Sequence, residues 1–345
     1  MKRSIFLVLT LVSLIFPACE HKDLCYHHPH TAEFRVCFDW SKADWIQEDW
    51  VRVNYERVSD NLPAGMTMVF YPQDFEGEEI TIQLPQGGGL VNVPEGTYKV
   101  ICYNNDSATL HFTGVKAYDT YAGYTGDGSA SEDKDGPSSF STNHSPIVCG
   151  DKDQPIKRRP DMISGCNVYY LKVSRTEVRY TSEEREDYLA KDRVVTLYPK
   201  RLVARYTYEV SGIRNLNYVA QLYGTITNLS HKIYFGREEI DKTQITVPFW
   251  AVTDRKDFIK GEFLTFGHHP ENTDPVTLTL YLTLTDKSDH VYPIDVTDQV
   301  FNAPDPMDVY LRITSDIVLP EPIPGDGAFQ PEVDDWDEEE HEIIM

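Results

Sequence analysis

Short alternating segments cut by turn residues constrain the fold of this chain more than any other feature. Residues 34–40 (FRVCFDW) place apolar side chains at every second position, the period of a strand with one buried face. Residues 67–71 (TMVFY) form a second run, stopped by Pro72. Residues 79–84, 90–93 and 97–103 follow, divided by Gln86-Gly-Gly-Gly89, Pro94-Glu-Gly96 and Asn104-Asn-Asp106; residues 111–117 add one more run. The pattern resumes at 194–198, 205–210 and 218–223, then at 246–252, 258–266, 277–285, 290–294 and 309–313, with Asp286-Lys-Ser-Asp289 as a hairpin turn. Strands at such short intervals, separated by Pro, Gly, Asn and Asp, predict β-sandwiches.

The two sets of strands are separated by a polar stretch, 150–162 (GDKDQPIKRRPDM), which carries the basic cluster Lys157, Arg158 and Arg159. Residues 166–178 fit a strand that completes the first sheet or bridges both halves. Thr181 and Glu184 stand at capping-box spacing, so residues 181–191 are expected to be a short helix. The predicted organisation is an all-β chain of two tandem sandwiches with Greek-key connections. The first spans 32–150, a junction with the short helix spans 151–193, and the second spans 194–320, followed by an acidic tail at 321–345.

The N-terminus predicts export. Lys2 and Arg3 precede an apolar run from Ile5 to Phe16 that is broken only by Thr10 and Ser13. Pro17, Ala18 and Cys19 close it, as at a secretory cleavage site. A run of about twelve residues is too short to cross a hydrocarbon core of ~30 Å as a helix. Cys19 directly after Ala18 resembles the lipobox of bacterial lipoproteins, although Phe16 and Pro17 depart from its favoured residues. That resemblance implies cleavage after residue 18, lipidation of Cys19 and a tether over 19–31. Each buried acyl CH₂ adds roughly 0.8 kcal/mol, so two or three chains make a durable anchor.

The charge is strongly acidic, −23 over 345 residues, which disfavours nucleic acid and anionic lipid surfaces as partners. The 21 tyrosines suit strands. Six cysteines include Cys19. The remaining five cannot all pair within the chain. Cys149 and Cys166 flank a polar segment whose closure would stabilise by ~3 kcal/mol if the geometry allowed; burial as small apolar side chains is the alternative.

Few residues suggest chemistry. No GxSxG, P-loop, HExxH or CxxC pattern is present, so no enzyme, cofactor or metal site is expected. His27, His28 and His30 surround Pro29 in an extended segment, where alternate side chains diverge, and they read as a solvated tether. His268-His269 reads as a turn before Pro270. Asp127, Ser129, Ser131, Asp133 and Asp135 alternate oxygen ligands, but the glycine and terminal glutamate of a calcium loop are misplaced. Trp45 and Trp50 are candidates for stacking on a glycan, whereas Trp40 ends a strand and is expected in the core. The tail holds eight acids between Glu332 and Glu342, interleaved with Phe329, Val333, Trp336, Ile343 and Ile344. Its Phe329-to-Trp336 part is expected to dock.

Several segments resemble a family of uncharacterised lipoproteins from Bacteroidales. They are HKDLCYHHPH at 21–30 with Phe38-Asp-Trp40, PEGTYKVICYNND at 94–106, GEFLTFG at 261–267, YPIDVTDQV at 292–300 and FQPEVDDW at 329–336. The family is related to fimbrillin-like proteins and to minor fimbrial anchor subunits. The resemblance implies two tandem transthyretin-like β-sandwiches and a role in surface anchorage or adhesion. It implies a fimbrial or other envelope protein as partner and an outer-membrane location, held by lipid at the cell surface. Asp106-Ser107-Ala108 resembles the O-glycosylation sequon of secreted Bacteroidales proteins; an ordinary turn is the alternative. A glycan-binding lipoprotein is the second functional expectation.

Overall fold

The structure is a computed structural model that describes residues 30–41, 43, 62–128, 154–182, 185–254 and 256–322. It is all-β, as expected. The N-terminal strands are β1 (Thr31–Phe38), β2 (Gly65–Pro72), β3 (Ile80–Pro85), β4 (Gly88–Pro94), β5 (Gly96–Asn104), β6 (Leu110–Thr113) and β7 (Ala122–Thr125). Next come β8 (Ser164–Val173), β9 (Val178–Ser182), β10 (Arg185–Leu189), β11 (Val194–Leu197) and β12 (Lys200–Arg201). The first sandwich packs a β11-β1-β4 sheet on a β10-β9-β8-β5-β2-β3 sheet, with β12 added to β8. Alternation along β1 buries Ala32, Phe34, Val36 and Phe38 and leaves Glu33 outside. Facing them are Met68, Phe70, Tyr98, Val100 and Leu171. Phe70 and Tyr98 meet edge to face at 5.8 Å, a favoured aromatic geometry.

The C-terminal elements are β13 (Ala204–Ser211), β14 (Val219–Ser230), β15 (Lys232–Tyr234), β16 (Glu239–Ile240), β17 (Gln244–Trp250) and β18 (Val252–Thr253). They continue with β19 (Phe258–Thr265), β20 (Thr277–Leu284), β21 (Asp289–Asp295), helix α1 (Thr297–Phe301) and β22 (Asp308–Thr314). A β18-β19-β13-β22 sheet packs on a β17-β14-β20-β21 sheet. The second core holds Tyr206, Tyr208, Ile226, Phe249, Phe263 and Leu280. Phe249 and Phe263 stack at 4.6 Å. The buried Tyr208 hydroxyl donates to the Trp250 carbonyl at 3.0 Å, which offsets its desolvation.

A fifth sheet joins the two halves. Its order is β16-β15-β7-β6, so strands from both halves of the chain pair in it. Lys232–Tyr234 run antiparallel to Ala122–Tyr124. Beneath it lies a separate core: Val69, Tyr71, Ile101 and Tyr103 from β2 and β5 face Ile233, Phe235, Leu264 and Phe266. Tyr103 stacks on Phe235 at 5.0 Å, and its hydroxyl bonds that of Tyr121 at 2.6 Å. The polar stretch at 154–158 adds to the joint. Gly128 N donates to Ile156 O, Arg158 N to Gly126 O, and Lys157 N to Thr246 O on β17.

Two local expectations are corrected. The helix predicted over 181–191 is replaced by the β9 and β10 hairpin, in which Tyr188 lies opposite Tyr180 and the rings pack at 5.4 Å. Cross-strand aromatic packing outweighs the capping-box pattern. Residues 194–198, expected to open the second sandwich, instead supply β11, which runs parallel to β1.

Candidate anchor and partner-binding surface

The candidate anchor, Cys19, lies outside the described residues, as do the cleavage site, Cys25, His27 and His28. Where the tether enters the fold, its end is held firmly. Glu95 N donates to the His30 carbonyl at 2.6 Å, and Arg175 Nη2 donates to His30 Nδ1 at 2.6 Å. Arg193 Nε donates to the Glu33 carbonyl at 2.7 Å and its Nη1 to the Arg175 carbonyl at 3.2 Å. Arg175 thus engages the His30 ring and Arg193 a backbone acceptor near the start of β1. Behind it, β1 is hydrogen-bonded on both sides, by β4 and by β11.

Sandwich edges are the places where another chain can add a strand. Those of the second sandwich are short or blunted. On β17, Thr246 exchanges bonds with Pro155 and Lys157, and Pro248 removes a further outward donor. β21 carries Pro293. On β22, Arg312 N bonds the Gln299 side chain at 2.7 Å and Asp308 N bonds Asp305 O at 3.1 Å. β18 has two residues. The first sandwich differs. β3 and β4 end their respective sheets and are joined by the two residues Gln86 and Gly87. Among the described residues no strand pairs with the outer side of either. Ile80 and Ile82 on β3 are only half-buried against the core, and Leu90 on β4 is 56% exposed. The Trp40 indole holds the turn through a 2.9 Å bond to Gln86 O. The result is a seam with two strand edges, half-buried Ile80 and Ile82 along one of them and Leu90 exposed on the outer face of the other. No sequence argument singled it out; the signal was the pair of adjacent alternating runs around a Gly-rich turn.

The remaining candidate residues have structural partners or lie outside the described residues. Trp40 is buried, as expected, whereas Trp45, Trp50 and Cys149 are not described. Asp127 pairs with Lys157 at 2.7 Å, and this ion pair holds its carboxyl below the usual range; the rest of the calcium-like run is not described. Arg158 Nε bonds the Asp127 carbonyl at 3.1 Å, so the basic cluster serves the joint. Ser107 donates to Asp161 at 2.5 Å and accepts from Leu110 N at 3.3 Å, as in a structured turn. His269 accepts from Glu271 N at 3.1 Å within a turn. Among the described residues no three His, Cys, Asp or Glu side chains converge as metal ligands. No described helix is long and apolar enough to cross a membrane. Most of the acidic tail, 323–345, lies outside the described residues.

Comparison with known proteins agrees with this architecture. A Bacteroides ovatus protein named "Putative fimbrium anchoring subunit Fim4B" is 24% identical over 309 residues, 85% of this chain and 78% of that protein. A crystal structure described as a "putative adhesin" from Bacteroides ovatus aligns with a TM-score of 0.55 at 22% identity, covering 85% of this chain and 94% of that one. The fimbrial anchor protein Mfa2 of Porphyromonas gingivalis aligns with a TM-score of 0.45 at 10% identity, covering 83% and 91%. The model of a domain of unknown function, DUF5119, matches residues 18–250, which take in the first sandwich, the joining sheet and strands β13, β14 and β17 of the second. The chain belongs to the DUF5119 family.

Proposed function

We propose that this protein is a non-enzymatic, lipid-anchored protein of the outer membrane that holds or joins a fimbria-like surface assembly by binding another envelope protein. The observation that carries this reading is its relatedness, over 85% of its length, to a protein named as a fimbrium anchoring subunit. Cys19 after the apolar leader supplies the membrane attachment. The β3–β4 seam is the surface offered to the partner, because it combines free strand edges with exposed apolar side chains. This puts the partner surface on the first sandwich, although residues 194–345 are farther along the chain from the anchor. Cys19→Ala should release the protein from the detergent phase that retains lipoproteins. Retention of Cys19→Ala in that phase, with an N-terminal peptide of unmodified mass in the wild type, would refute the anchor.

A glycan-binding role has one observation in its favour. A bulge in β8 opposite Lys99 turns two consecutive tyrosines outward, Tyr169 at 48% and Tyr170 at 38% exposure. Exposed aromatic faces suit sugar rings, and retention on a polysaccharide column that is lost in Tyr169→Ala would favour this role.

A further inference from the structure

The joint between the sandwiches contains an imidazole in a setting that does not welcome charge. His231 sits between β14 and β15, at the corner where the second sandwich hands its chain to the joining sheet. Its Nε2 is buried without a hydrogen-bond partner. Tyr124 of β7 packs against its ring at 5.6 Å, and His111 of β6 lies on the other side of Tyr124, also at 5.6 Å. From the 154–158 segment comes Lys157, engaged with Asp127. From the joining sheet come Asp241, just after β16, which accepts from His231 N at 3.2 Å, and Lys232 of β15, 3.6 Å from Asp241. The elements packed around His231 are therefore those that hold the two sandwiches together.

We propose that the joint is proton-sensitive: protonation of His231 loosens the pairing of β7 with β15 and frees the two sandwiches to move relative to one another. This adds a conformational response to the anchoring role and does not depend on it. Burial disfavours the imidazolium, and the nearby Lys157 ammonium adds to the effect. Asp241 and the Thr125 backbone oppose it without reversing it. The imidazole is thus held below its ordinary value of 6.5 in the closed joint. A histidine depressed in this way costs nothing above 6.5. Below that, the open state binds the proton that the closed state refuses, and the closed state loses ground as pH falls.

Hydrogen exchange of the full chain tests the proposal. The reporting amides are Phe235, bonded to Tyr121 O, and Arg158, bonded to Gly126 O. After correction for intrinsic rates, their opening should rise by up to about tenfold per pH unit below 6.5, while Val100 and Leu280 in the two sandwich cores hold their protection. His231→Gln should remove the acid response. Lys157→Gln, which deletes a charge without touching the ring, should weaken it. Joint amides that open no faster at pH 5 than at pH 7.5 would overturn the proposal. So would an undiminished acid response in His231→Gln, or loosening of the cores together with the joint.

Discussion

Gly236 shows how closely single residues set the joint. A Cβ there would stand 2.1 Å from the Tyr118 carbonyl oxygen, a backbone atom that cannot swing away. Gly236→Ala should therefore cost about 1–3 kcal/mol, as overpacking does, read as a lower urea midpoint with an unchanged slope. Glu262 carries a different prediction. Burial raises its carboxyl above the usual 4.5, against the opposing charge of Arg205 and with help from Asp308. Its Oε2 is buried and unpartnered. A carboxyl raised on folding favours the native state below 4.5, and that contribution is lost as pH rises through the folded value. The stability of wild type relative to Glu262→Gln should thus fall between pH 4.5 and pH 7 in matched denaturation curves. A difference independent of pH would contradict this.

Among elements, those with a clean two-residue period were legible and those made by partners were not. β1, β2 and β5 lie within a few residues of the runs expected from FRVCFDW, TMVFY and TYKVICY; β1 buries one face in a single core, whereas β2 and β5 bury one face in the first core and the other in the joint. The joining sheet was not foreseen: β15 and β16 have three and two residues, too few to show a period. β10 was misread because Arg185 to Leu189 suit a helix when taken alone, and only Tyr180 across the hairpin shows otherwise. That pair should be measurable. A double-mutant cycle of Tyr180→Phe and Tyr188→Ala isolates less than the full contact, so Tyr180→Ala with Tyr188→Ala is preferred. Its coupling should be about 0.5–1.5 kcal/mol, and a coupling near zero would mean that burial alone holds the hairpin. α1 also escaped notice, although Asp295 accepts from Thr297 N at 2.9 Å just before it, an Asx start that the sequence displays. Of the candidate sites, Cys19 lies outside the described residues and rests on the local grammar of the leader alone. The β3–β4 seam was not legible, since which strand ends a sheet depends on pairing across the fold.

At the scale of the whole molecule, the first sandwich, the joint and the second sandwich form one path among the described residues. The chain enters at His30 beside two arginines, passes through β1 between two hydrogen-bonded neighbours, and reaches the second sandwich through shared sheet bonds as well as a linker. The engaged surface can be tested in intact cells by cross-linking and recovery of envelope proteins with wild type and with the seam variant Ile82→Arg/Leu90→Asp. Leu90 is exposed and Ile82 only half-buried, so the variant should keep its circular dichroism spectrum and its membrane retention. It should lose a cross-linked envelope partner that the wild type recovers. Recovery of the same partner in the same yield by a folded, membrane-retained seam variant would contradict the assignment of the β3–β4 edge as the binding surface.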